Sequence, residues 1–283
     1  MTTGEIPVDG AIDAHVHLMP DRLMVAIREA LNDTAGWEFD HPTNREAIEG
    51  DLREHGIERY IALPYAHKPD IAADLNEWLL EEASNSEMCI PFATVHPADD
   101  VHAVVEAAFK NGARGLKFQC PVQEVAPDDP RLDPAYELCA KYDQPVLHHA
   151  GNAPMFEGSP HVGIERFQQF REQFPEVRAC CAHMGTFEHE AFLDIARADE
   201  NVYLDTSFAM ATVVDHHVDF DPASIDDTIF EDLAGRVMYG SDYPNMPHSY
   251  EQEYEGLVRR DLSEMAFEAL FREATEQFLG EGL

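Results

Sequence analysis

The chain has 283 residues, enough for one large core, since α/β barrels reach about 250 residues as a single domain. Its 55 acidic residues against 19 basic ones give a net charge of -36, a balance that repels nucleic acid and anionic membranes. With 45% hydrophobic residues and clear periodicity, the charge reads as a solvated shell on a folded chain, and a shell so acid-rich and lysine-poor points to a halophilic protein of a high-salt cytoplasm.

Short apolar runs alternate with amphipathic stretches along the chain. The first, AIDAHVHL (11–18), is followed by ERYIALP (58–64), CIPFATV (89–95) and ARGLKFQ (113–119). QPVLHH (144–149), VRACCAH (177–183), NVYLDTS (201–207) and RVMYGS (236–241) complete a set of eight strand candidates. Between them lie helix-like segments at 43–56, 70–83, 99–112, 132–142, 162–174 and 187–199. In the first of these, Thr43 and Glu46 form a capping-box pattern and Gly56 suits a helix C-terminus. The connection 19–57 has room for two helices, and 208–235 reads as an insertion.

Eight strands, most followed by a helix, predict a (β/α)8 TIM barrel forming one domain over 1–283, and the sequence has no GxGxxG turn of the kind a doubly wound sheet would carry. Cys89, Cys120, Cys139, Cys180 and Cys181 are odd in number and lack CxxC spacing, so they read as reduced core residues. The opening MTTGEIPVDG lacks the basic and apolar regions of a secretory leader, and no run of eighteen apolar residues occurs. A cytoplasmic location is therefore the expectation.

In barrels of this kind the reactive groups sit where strands run into their following loops. Here those ends are polar: His15 and His17 on the first strand, Lys117 on the fourth, His148 and His149 on the fifth, His183 on the sixth, Asp205 on the seventh and Asp242 after the eighth. A period of two puts His15 and His17 on one face, with Asp13 one step deeper on that face and His148 on the face opposite His149, toward the helices. One core histidine is ordinarily a hydrogen-bonded structural residue. Several imidazoles and a carboxylate at one rim are satisfied together by a single divalent cation, for which both are good ligands.

The motifs IDAHVH, PFATVHP, GLKFQ, PVLHHAGN, CCAHMG, VYLDTS and YGSDYP, in that order over nearly the whole chain, resemble the amidohydrolase superfamily, in its amidohydrolase-related (amidohydrolase 2) branch of metal-dependent hydrolases and decarboxylases. The resemblance implies His15, His17, His149 and Asp242 as metal ligands, with His183 holding the attacking water or, in binuclear relatives, a second ion. It implies zinc first, with manganese, iron or magnesium as alternatives, and one ion rather than two. Lys117 is open between a carboxylated bridge of two metals, an amine that contacts substrate and a charge paired with a neighbouring carboxylate. Gln119 and Cys120 stand where the family often has His-Pro.

The implied chemistry is activation of a water by the bound ion, with Asp242 passing its proton to the leaving group, His183 stabilising developing charge and Asp205 orienting a ligand imidazole. Surface or capping roles are expected for His161, His189, His216 and His217, and either a turn or a pocket wall for His96 with Pro97. Met155 and Phe156 are expected either to wall a substrate site or to serve as packing anchors. A hydrolase of a small organic amide, ester or lactone is the leading reading; a decarboxylase on the same metal set is the runner-up, and a non-catalytic binding or assembly barrel is the third. The expected partner is a small-molecule substrate, with a homodimer as an open alternative to a single chain.

Overall fold

All eight strands form in a computed structural model that describes residues 4–152, 156 and 158–280. They are β1 (Ala11–Val16), β2 (Ile57–Ala62), β3 (Cys89–Pro91), β4 (Leu116–Phe118), β5 (Val146–His148), β6 (Ala179–Cys181), β7 (Val202–Asp205) and β8 (Val237–Met238). Most are buried along their whole length, as strands are when a parallel sheet has cover on both faces. Pairing is parallel throughout, in the runs β1-β2-β3 and β4-β5-β6-β7-β8. Bridges between Ala93 and Leu116 and between Val16 and Tyr243 join the two runs, so the sheet closes into a barrel.

Alternation divides the apolar residues into an inner and an outer core. Ile12, Ala14, Leu63, Phe92, Leu147 and Met238 belong to the inner one. Phe278 and Leu279, from α11 (Ala274–Leu279), join them, and Arg178 Nε just before β6 donates to Phe278 O at 2.8 Å. That contact sets α11 across the end where strands begin, which leaves the opposite end for the polar residues.

The helices follow the sequence pattern closely. The long first connection holds α1 (Asp21–Ala35) and α2 (Arg45–Glu54), and α3 (Ala72–Ser84), α4 (Val101–Lys110), α5 (Asp133–Tyr142), α6 (Ile164–Gln173) and α7 (His189–Ala198) alternate with strands. The cap of α2 is Asn44, which holds an extended conformation and accepts from Ala47 N at 3.0 Å, one residue later than the Thr43 expectation. Gly56 does take the left-handed conformation at the C-terminus, φ +82. The insertion 208–235 carries only short turns and α8 (Thr228–Asp232), while α9 (Glu251–Val258) and α10 (Glu264–Glu268) precede α11. All five cysteines are free and buried, and among the described residues no helix is long and apolar enough to cross a membrane.

One irregularity in β1 corrects the sequence reading. Asp13 pairs with Tyr60 and Val16 with Ala62, three steps on one strand against two on the other, so β1 is bulged. The extra residue breaks the alternation between Asp13 and His15. Asp13 therefore points outward, where its carboxylate accepts from Ser241 Oγ at 2.6 Å and Tyr250 Oη at 2.8 Å. It reaches His15 only through the backbone, accepting from His15 N at 3.0 Å.

Candidate metal centre and pocket

Beyond the bulge, His15 and His17 turn their rings into the barrel mouth, and each is fixed by an acceptor. His15 Nδ1 donates to Asp205 Oδ2 at 2.9 Å, and His17 Nδ1 donates to the carbonyl of Leu63 at 2.9 Å. With the protons committed there, both Nε2 lone pairs face the site. Asp242 completes the set from the turn after β8, where φ +66 and a bond from its own N–H to His15 O at 2.9 Å hold it. Its Oδ1 lies 3.3 Å from His15 Nε2 and 3.1 Å from His17 Nε2.

Two lone pairs and a carboxylate oxygen thus converge with no proton of their own between them. The three ligand atoms lie within 4.8 Å of one another, the donor set a divalent cation fits. Burial, with the nearby Lys117 charge, pushes the His15 pKa down to about 3, which keeps the imidazole in its neutral, ligating form.

The other implied residues gather beside this set. His183, at φ +58, shares its Nδ1–H between Ser207 O at 3.0 Å and Ser207 Oγ at 2.9 Å, leaving Nε2 3.0 Å from His149 Nδ1. Gln119 Nε2 lies 3.1 Å from the same His149 nitrogen. His149 is thus against His183 and outside the tight group of three, and its buried Nε2 has no partner among the described residues. Burial first, then the His183 charge, drives its pKa well below that of a free imidazole.

Lys117 is fully buried on β4, with Nζ 3.2 Å from His15 Nε2. Among the described residues it forms no ion pair with a carboxylate, contrary to one of the three expectations. Burial lowers its pKa, against the charges of Asp205 and Asp242. Asp205 ties the halves of the site together: Oδ2 accepts from His15, while Oδ1 accepts from the backbone of His183 at 3.0 Å and from Ser207. Ser207 is a residue the sequence reading passed over, although its i+2 relation to Asp205 at the end of β7 was the available signal.

The remaining histidines sort as follows. His148 lies outward, stacked on Phe118 with Nε2 3.0 Å from Tyr136 Oη, as alternation requires. His96 shapes a turn, its Nδ1 accepting from Ala98 N at 3.2 Å. His161 is partly buried, with its N–H donating to Ser159 Oγ, and His189 begins α7 against Phe220. His216 is exposed, but His217 is stacked on His248 beside Trp37. That departs from the surface role expected for it.

A pocket opens onto the centre. Its walls include the polar His17, His149, His183 and Asp242 and the aromatic Trp37, Tyr65, Phe156 and Phe208. The inner space of about 130 Å³ compares with the ~150 Å³ that holds a benzene ring in an engineered cavity. No lysine or arginine lines it among the described residues. Phe156 meets His149 edge to face at 5.8 Å, while Met155 lies outside the described residues.

Comparison with known proteins agrees with this architecture. No curated protein sequence matches the chain. An uncharacterised TIM-barrel protein from Bordetella bronchiseptica superimposes with a TM-score of 0.76 at 17% identity, over 95% of this chain and 98% of that one. A 5-carboxyvanillate decarboxylase from Novosphingobium aromaticivorans, solved with manganese and 4-hydroxy-3-methoxy-5-nitrobenzoic acid, gives 0.65 at 15% identity, over 99% of both chains. A Pseudomonas putida protein described as a 2-pyrone-4,6-dicarboxylic acid hydrolase gives 0.65 at 16%, over 97% and 98%. At such identities the likeness speaks for the fold, and the family comes from the sequence itself. The amidohydrolase family model matches residues 12–280, and the chain belongs to the amidohydrolase-2 family of TIM-barrel proteins.

Proposed function

We propose that the protein is a metal-dependent hydrolase of a small, uncharged and largely apolar ester, lactone or amide. The observation that carries this reading is the pocket, which ends on His17 and Asp242 yet offers no lysine or arginine on its walls among the described residues. An anionic substrate would enter past a net charge of -36 with no cationic side chain to receive its charge, whereas a neutral carbonyl compound pays no such penalty.

His15, His17 and Asp242 would hold a divalent ion, zinc or manganese, with His149, whose buried Nε2 has no partner among the described residues, as a further donor. When bound there, the ion supplies Lewis-acid polarisation of a carbonyl and acidifies a water. Asp242 would accept that water's proton and return it to the leaving group, a role open to a carboxylate within hydrogen-bond reach. His183, with Nδ1–H fixed by Ser207 and Nε2 3.0 Å from His149 Nδ1, lines the pocket and would orient the attacking water. Asp205 keeps His15 in the ligating tautomer. Lys117 would act as an amine beside the ligating Nε2 of His15 rather than as a bridge between two ions.

A second reading rests on the solved relative that binds manganese and a nitrobenzoic acid and is named a decarboxylase. There the same groups would serve to protonate carbon. The two readings separate on product: with the metal-loaded protein and a panel of aryl esters, lactones, amides and aromatic acids, hydrolysis releases acid from the neutral compounds. Carbon dioxide from the acids, with the neutral compounds untouched, would replace the first reading by the second.

A further inference from the structure

We infer that Tyr65 and Asn245 form a pair of hydrogen-bond donors in the pocket wall that binds an oxygen of the substrate. The inference rests on the pocket belonging to a site for small carbonyl compounds, as proposed above. Both residues line that pocket, and both are at least nine-tenths buried, Tyr65 at 7% and Asn245 at 4% exposure. They flank β1 from either side: Tyr65 follows β2 and Asn245 follows β8.

Each is held so that a donor is left over. The Tyr65 ring meets His17 edge to face at 5.6 Å, and its hydroxyl has no hydrogen-bond partner among the described residues, although it is not sealed from the pocket. Asn245 is anchored through its backbone N–H to Asp242 O at 3.1 Å, and its side-chain Oδ1 accepts from Arg28 Nε at 3.4 Å. An arginine can only donate, so the amide is turned with Nδ2 away from it. Arg28 itself is fixed by the carbonyls of His41, Pro42 and Pro244. Nδ2 likewise has no partner among the described residues and remains open to the pocket.

In a pocket whose lining also includes the apolar Ile27, Leu31, Trp37 and Phe208, two unspent donors are a specificity device. A site built to bond an oxygen rejects the analogue that lacks one, because its own donors are then left unpaired. The class recognised is a small aromatic or alicyclic molecule with a carbonyl or ether oxygen near its reacting end.

The test is equilibrium binding to the metal-loaded protein, read by calorimetry, of acetophenone and of ethylbenzene, which share shape but differ in the oxygen. The wild type should prefer acetophenone, and Tyr65→Phe and Asn245→Leu should each weaken acetophenone by about fivefold, one neutral hydrogen bond's worth, with ethylbenzene unchanged. Acetophenone binding equal to wild type in both variants, or an equal loss for both ligands, would overturn the inference. Because no turnover is read, an enzyme that proves not to be a hydrolase leaves this result intact, and a missing oxygen preference in an active hydrolase removes this inference alone.

Discussion

Asp205 accepts a hydrogen bond from His15 Nδ1 at 2.9 Å while both side chains are completely buried. The carboxylate thereby fixes which imidazole nitrogen is free, and its other oxygen takes the backbone N–H of His183. Partners that orient a ligand histidine are typically worth about 10–100-fold in metal affinity. Asp205→Ala should therefore lose affinity for zinc or manganese by that order while His15 and His17 remain. Competition with a chromophoric chelator measures it. An affinity equal to wild type would mean that the bond holds the fold and not the ligand.

Asp242 is asked to do two things, so its replacement must be read at saturating metal. The amide of Asp242→Asn cannot accept the water's proton, and loss of a positioned general base costs roughly 10²–10⁴ in turnover. The expected outcome is kcat reduced by that factor with a metal-loaded, normally melting protein. His183→Asn should lower kcat less and leave metal content near wild type, since it contacts Ser207 and His149 rather than the group of three. Near-normal kcat in Asp242→Asn would place the proton transfer on another residue.

How far the site was legible depends on which physical rule governed each residue. Strand period and loop position were enough to bring His15, His17, His183, Asp205 and Asp242 to one end of the barrel, because those rules hold wherever a strand is buried on both faces. Asp13 escaped because a bulge adds one residue to β1, and nothing in IDAHVH marks it. His217 escaped because its neighbours, His248 and Trp37, come from distant loops whose path local pattern does not determine. Tyr65 and Asn245 escaped for the same reason: a donor becomes functional here by what it is not bonded to, and that is a property of packing.

The buried pair His248 and Glu253 predicts a pH dependence of stability. Burial pushes the His248 pKa down to about 4, so between that value and 6.5 the unfolded chain binds the proton more readily and acidification destabilises the fold. At 1.36 kcal/mol per unit the histidine contributes at most about 3 kcal/mol to that loss. Glu253 works in the other direction. Burial raises its pKa well above 4.5, so the folded state keeps a proton that the unfolded state releases, and stability falls as pH rises past 4.5.

Glu253→Gln retains an acceptor for the Phe208 N–H and a donor toward His248 but removes the titration. Its stability relative to wild type should accordingly increase from pH 4.5 toward pH 8. Urea melts at four or five pH values check the slope, and a difference independent of pH would mean that Glu253 ionises in the folded protein.

The acidic surface predicts a dependence on salt. With 55 acidic and 19 basic residues, like charges crowd the folded state, and screening shortens their reach from about 10 Å at 0.1 M to about 3 Å at 1 M ionic strength. Ion pairs do not offset the imbalance, because each basic residue neutralises one acid and 36 remain. The melting temperature should climb by several degrees between 0.1 and 2 M potassium chloride, since self-repulsion of the compact state is what the salt relieves. Sucrose at matched osmolality is excluded from the surface but screens nothing, and so should raise it less. A melting temperature flat in potassium chloride, or raised equally by sucrose, would show that repulsion among these carboxylates does not limit the fold.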